Sequence, residues 1–222
     1  MNRTALAMSL SLPLLVALSA CTRVSGTVDG ESPDAVEAIF IQNDEAYGSD
    51  GSIQVWISDV PESCDAFAEF YNDLPEDWWD WLDTEEIVDA YERNLPEQHW
   101  LTKVTFRVDD VDDELGGLEF KGVDWDESLA DDDEMKATTY FQERYPEEDE
   151  LDVEGLLGGD QDWGETWYSD DGDGKITGHT PDESLRGNFA AEFVDSDGDD
   201  QGELSLSFAA TRCRDLEDAL DL

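Results

Sequence analysis

Carboxylates dominate the side chains that could do chemistry: 35 Asp and 24 Glu stand against 8 Arg, 4 Lys and 2 His in 222 residues. Acids cluster with glycine twice, in Ser169-Asp170-Asp171-Gly172-Asp173-Gly174-Lys175-Ile176 and in Asp195-Ser196-Asp197-Gly198-Asp199. Calcium is a hard cation that takes about six to eight oxygen ligands, so such runs suit it. Asp171, Asp173, Asp195, Asp197 and Asp199 are therefore candidate calcium ligands of a weak kind, and calcium is the one cofactor the residues suggest. Asp that caps its own backbone and Gly at positive φ also build hairpin turns. That plainer reading is favoured for both segments.

The first segment resembles the core of an EF-hand loop, with Asp171, Asp173 and Gly174 on the pattern and Ile176 at its apolar position. It departs where the ion would be closed in: Ser169 takes the first ligand position, Thr180 the twelfth, and aromatic, strand-like residues 163–168 precede it. The second has Asp200 where the loop needs Gly and Leu206 where it needs a bidentate Glu. Neither is expected to be a full EF-hand.

Other chemistries find less support. His99 and His179 are too few for a His-rich zinc site; His99 reads as a surface or C-cap residue at a helix end and His179 as a residue of the 178–180 turn, on the surface. The chain has no G-x-S-x-G elbow, H-E-x-x-H helix or phosphate-binding G-x-x-x-x-G-K-[ST] loop. With 59 acids, some carboxylate pair always falls at glycosidase spacing, so pairing alone says nothing. Trp78 and Trp81 read as a core stripe, while Trp79, Trp163 and Trp167 are the places where a ring beside acids would stack on a sugar or a cation. A formal charge of −47 excludes nucleic acid, which needs basic residues to displace counterions. It equally opposes free adsorption to an anionic lipid surface.

Residues 1–20 hold no acid, and all 59 follow them. Arg3 begins this segment, a short apolar run continues it, and Leu18-Ser19-Ala20-Cys21 ends it. The run is short for a spanning helix, which needs roughly 20 apolar residues, and reads as a signal peptide. Its end resembles the lipobox of bacterial lipoproteins. The resemblance implies that Cys21 is diacylated, becomes the mature N-terminus and joins the protein to a lipid bilayer. Thr22 rather than Asp after that cysteine leans towards the outer membrane. The mature chain then has 11 basic residues against 59 acids, a formal −48.

An odd cysteine count in an exported protein calls for an explanation. Lipidating Cys21 leaves Cys64 and Cys213, which an oxidising compartment would join as a disulfide.

These residues need a scaffold, and 39% hydrophobic residues with 8 Trp are enough for a core. Alternation of apolar and polar residues marks strands over 35–42, 53–57, 101–108, 185–194 and 203–210. Leu204, Leu206 and Phe208 point one way and Ser205, Ser207 and Ala209 the other, an antiparallel pattern with one buried face. Asp59 to Glu62 has capping-box spacing, and Ser63 is the alternative cap for a helix carrying Ala66, Phe67, Phe70 and Tyr71. A second helical stripe runs over 75–95. Residues 109–133 and 146–162 read as loops. The expectation is a mainly β protein, a β-sandwich or partly open antiparallel barrel, with one or two inserted α-helices around 60–95. It divides into signal peptide 1–20, tether 21–34 and one acidic β-rich domain 35–222.

For function, the expectation is a membrane-anchored cell-envelope lipoprotein whose non-enzymatic domain is structural or binds an unknown envelope or extracellular partner. Two rivals are an envelope hydrolase using Asp or Glu and a calcium-dependent adhesion module. Oligomeric state is not readable. Acids spread through every segment suggest a saline habitat, where ions screen the self-repulsion.

Overall fold

The computed structural model describes residues 22–33, 37–47, 50–73, 100–111, 113–124, 127–131, 133–142 and 164–220. Nine strands appear there: β1 (Arg23–Val28), β2 (Glu37–Tyr47), β3 (Asp50–Ser58), β4 (Trp100–Val108), β5 (Glu119–Gly122), β6 (Glu134–Gln142), β7 (Gly164–Thr180), β8 (Ser184–Val194) and β9 (Asp200–Arg212). Two helices accompany them, α1 (Ser63–Asp73) and α2 (Arg214–Ala219). The protein is mainly β.

The pairings close on themselves. Strands β2, β3, β4, β6, β7, β8 and β9 follow one another, and β9 then meets β2, so seven of the nine strands form a ring. The barrel branch of the expectation is thus the one the pairings follow, with the ring complete. Two contacts are parallel: β2 on β9 through Ile39↔Thr211 and Phe40↔Arg212, and β5 on β6 through Lys121↔Glu134 and Gly122↔Met135. The other pairings are antiparallel. Strands β1 and β5 fill the places where ring strands part, β1 along β9 and β5 between β6 and β7.

Alternation sorts side chains into two cores. Inward residues of every strand fill the ring, among them Phe40, Val55, Trp100, Phe106, Phe120, Trp167, Phe189, Phe193 and Phe208. Burying each large side chain is worth about 1.5–3 kcal/mol. A ring of this size has room for side chains but little more. The outward residues Ile39, Ile41, Trp56 and Leu101 carry a second cluster, covered by Phe67 and Ala68 of α1 and Leu216 of α2. Trp56 meets Phe67 edge-on at 5.1 Å and Tyr71 at 6.1 Å.

Several expectations need correction. Residues 23–28, read as tether, are strand β1, with Val28 wholly buried in the ring core. A six-residue run with only Val24 and Val28 turned inwards is too sparse to show as alternation. Residues 119–122 form β5 inside a stretch read as loop, with Phe120 turned into the ring core. Asp59 lies four residues before α1, and its carboxylate accepts the Trp100 N–H at 3.1 Å, which fixes the start of β4. The helix begins at Ser63, whose N–H donates to Glu37 Oε2 at 2.9 Å. The stripe over 75–95, with Trp78, Trp79 and Trp81, lies outside the described residues, as do His99, Trp163 and the loop reading of 146–162.

Candidate functional site

The two Asp-Gly segments take different places. Residues 170–174 lie within β7, paired on β8 through Asp171↔Glu192, Gly172↔Ala191, Asp173↔Ala190 and Gly174↔Phe189. The hairpin-turn reading fails there, because glycine serves close packing instead of chain reversal. A Cβ on Gly172 would lie 2.4 Å from the Ala190 carbonyl oxygen, and one on Gly174 would lie 2.6 Å from Met135 Sδ. Asp171 and Asp173 stand on the exposed outer face, and Asp171 Oδ1 accepts the Gly172 N–H at 2.7 Å.

Residues 195–199 do reverse the chain, between β8 and β9. Asp195 organises the turn: Oδ1 accepts the N–H groups of Asp197 at 2.9 Å and Asp199 at 3.0 Å, and Oδ2 accepts Gln201 Nε2 at 2.6 Å. The Asp199 N–H first, with the others, holds the Asp195 carboxyl below its usual range. Gly198 supplies φ +82°. The five candidate ligands are thus split between a strand face and a turn. Among the described residues no three His, Cys, Asp or Glu gather as a metal cage.

Cys64 and Cys213 are joined by a disulfide with Cα atoms 5.4 Å apart. Cys64 lies in the first turn of α1, and Cys213 sits between β9 and α2. The bond therefore locks both helices over the outer cluster. It spans 149 residues of sequence, and in the chain-entropy model a loop of that length stabilises by about 5 kcal/mol.

Beside it runs the β2–β9 seam. With two parallel residue pairs, this contact is short, and side chains extend it. Arg212 Nε donates to both oxygens of Glu217, at 3.0 and 3.1 Å, and Glu217 Oε1 accepts the Gln42 N–H at 2.8 Å. Asp182 accepts from Arg212 and from Arg214, the latter at 2.8 Å. Gln42 Nε2 reaches the Val111 carbonyl at 3.0 Å. Glu217 is buried, and its carboxylate is matched by the charged Arg212 Nε–H shared between its two oxygens and by the Gln42 N–H. The arrangement closes a barrel; it does not present a reactive group.

His179 lies within β7, with Nδ1 3.0 Å from the Asp113 carbonyl oxygen and its ring edge-on to Phe40 at 6.4 Å. It lies in a strand and not in a turn, half-buried on the sheet. Trp167 is buried in the ring core and offers no stacking face. Lys103 was not anticipated. It sits on the outer face opposite Trp56, its ammonium 3.9 Å above that ring, and burial pushes its pKa down to about 8. The register Trp56↔Lys103 that makes the pair is invisible in a single strand. Among the described residues three carboxylates have displaced protonation, Glu119 through its bond to Lys175, Glu134 through the Asp131 N–H and Asp195 through the Asp199 N–H, and all three are held more acidic than usual. A general acid needs the opposite displacement.

Compared with known proteins, the chain matches no family model, and no curated protein or solved structure matches it.

Proposed function

We propose that the protein is a lipid-anchored lipoprotein of the cell envelope, carried on the outer membrane, whose mature part is a salt-adapted, non-enzymatic β-barrel that serves as a structural or binding domain. One observation carries this reading. Cys64 and Cys213 pair with each other, which leaves Cys21, at the end of the lipobox-like Leu18-Ser19-Ala20-Cys21, as the remaining cysteine of three. A disulfide also belongs to an oxidising compartment outside the cytosol.

The test is metabolic labelling with an alkyne fatty acid in a bacterial host. The full chain should take up label and partition into detergent phase, and Cys21→Ser should do neither. Label that persists in Cys21→Ser would refute the assignment. The salt reading is tested separately by thermal melts from low salt to about 1 M, where the Debye length is about 3 Å. Stability should rise across that range, and a melting temperature indifferent to salt counts against it.

A further inference from the structure

We propose that the anchored barrel rests on anionic phospholipid headgroups through one patch of its outer sheet face, the part of β1, β9, β8 and β7 that carries Arg23, Arg186 and Lys175. The inference rests on acylation of Cys21 and goes beyond it by naming the surface that meets the bilayer.

Chain length sets the geometry. Arg23 opens β1 and follows Cys21 by two residues, so their Cα atoms are at most about 7 Å apart. With residues 23–28 in the sheet, no long tether separates lipid from barrel. The end of β1 nearest Cys21 is therefore held at the membrane surface, and only the barrel's orientation remains to be decided.

Charge decides it. Across the sheet, Arg23 stands opposite Ser207, Ser207 opposite Asn188, and Asn188 opposite Lys175. In the adjacent outward row Ala209 stands opposite Arg186. Their neighbours Leu206, Phe208, Leu185 and Ile176 point inwards, which leaves Arg23, Lys175 and Arg186 facing outwards. The acid at the edge of the first row is Glu119, tied to Lys175 at 2.6 Å. At the β7–β8 turn Asp182 is paired with Arg212 and Arg214, with Glu183 beside it. Farther along the same strands the sign reverses: Glu203 faces Glu192 and Glu192 faces Asp171, while Asp173, between that row and Lys175, stands opposite Lys121. One sheet face thus runs from basic, near the anchor, to acidic, away from it.

A molecule of −48 does not adsorb freely to anionic lipid. Once acylated it is held there regardless, and headgroups attract the cationic end of this face while repelling the acidic end. The small side chains of Ser207, Asn188 and Ala209 let the sheet approach closely.

Lysine footprinting tests this, because the chain has four lysines. The acylated full chain is placed in phosphatidylglycerol–phosphatidylethanolamine vesicles in 0.15 M salt, where the Debye length is about 8 Å. It is then treated with a water-soluble acylating reagent. Lys136, on the outer face of β6 and paired towards β4, is the internal reference. The Lys175-to-Lys136 labelling ratio should fall at least threefold relative to Cys21→Ser protein with the same vesicles. Reversing the charges in Arg23→Glu with Arg186→Glu should restore it. An intact mass without acyl groups overturns the anchor and this inference together. Acylated protein with an unchanged ratio overturns the inference alone, and so does protection that survives the double reversal.

Discussion

Residues 170–174 and 195–199 are both built almost wholly of Asp and Gly, yet one stretch runs straight through β7 and the other turns the chain between β8 and β9. The difference lies in what glycine is for. In β7 it is the absence of a Cβ that matters, because Gly172 and Gly174 are crowded by Ala190, Met135 and Phe106. In the turn it is backbone freedom, because Gly198 has φ +82° and open space around it. Aspartate divides in the same way. Asp195 accepts three hydrogen bonds and sets the turn, whereas Asp173 projects from the sheet with its neighbours.

The sharpest way to break this contrast is to add one methyl group to each glycine. Gly172→Ala pushes a Cβ into backbone that cannot yield alone and should cost about 3 kcal/mol in urea unfolding. Gly198→Ala meets nothing but holds an unfavourable φ, and should cost about 1 kcal/mol. Equal costs would erase the distinction. In the turn, Asp195→Asn keeps an acceptor but loses the charge, and its effect should be smaller still in neutral buffer. The sign with pH follows from the lowered carboxyl. The stability Asp195 contributes is present above its unfolded pKa, about 3.9, and is lost as pH falls through the lower folded value. Melts of wild type and Asp195→Asn should therefore converge in strong acid. If their separation is the same at every pH, the carboxylate is not what orders the turn.

On the strand side, Asp171→Asn relieves repulsion from Glu192 directly opposite, and should stabilise by about 0.5 kcal/mol at low salt and less at high salt. The smallest expected effect is that of calcium. Neither segment should change its melting behaviour between chelated and calcium-replete buffer, and a rise would show that these carboxylates converge on an ion after all.

Much of the ring could be read from residues alone, and the reason is the inward-outward alternation. Leu204, Leu206 and Phe208 against Ser205, Ser207 and Ala209 announce β9, and Val104, Phe106 and Val108 announce β4. The disulfide followed from counting cysteines. What stayed hidden depends on partners rather than on the segment itself. Nothing in Asp170-Asp171-Gly172-Asp173-Gly174 says that Phe106 and Met135 will fill the space its glycines leave. Likewise, Arg23 to Val28 becomes a strand because β9 offers it an edge, beyond the point where β2 has left. Ring closure through two parallel residue pairs has no local pattern either, since it joins Phe40 to Arg212 across most of the chain.

That closing contact also has a bearing on how the chain folds as it is made. Strand β9 joins β8 to β2 and carries β1 on the edge it shares with β2, so four strands find their final neighbours only when residues 200–212 exist. A chain delivered N-terminus first waits with an unzipped sheet, its β1 and β2 edges bare, until residues 200–212 emerge. Cys213 follows directly after β9, so a covalent bond to Cys64 forms only in chains in which α1 and the end of β9 have met. The disulfide is in this sense a record that the chain has been made through residue 213, and products that stop before it lack the bond.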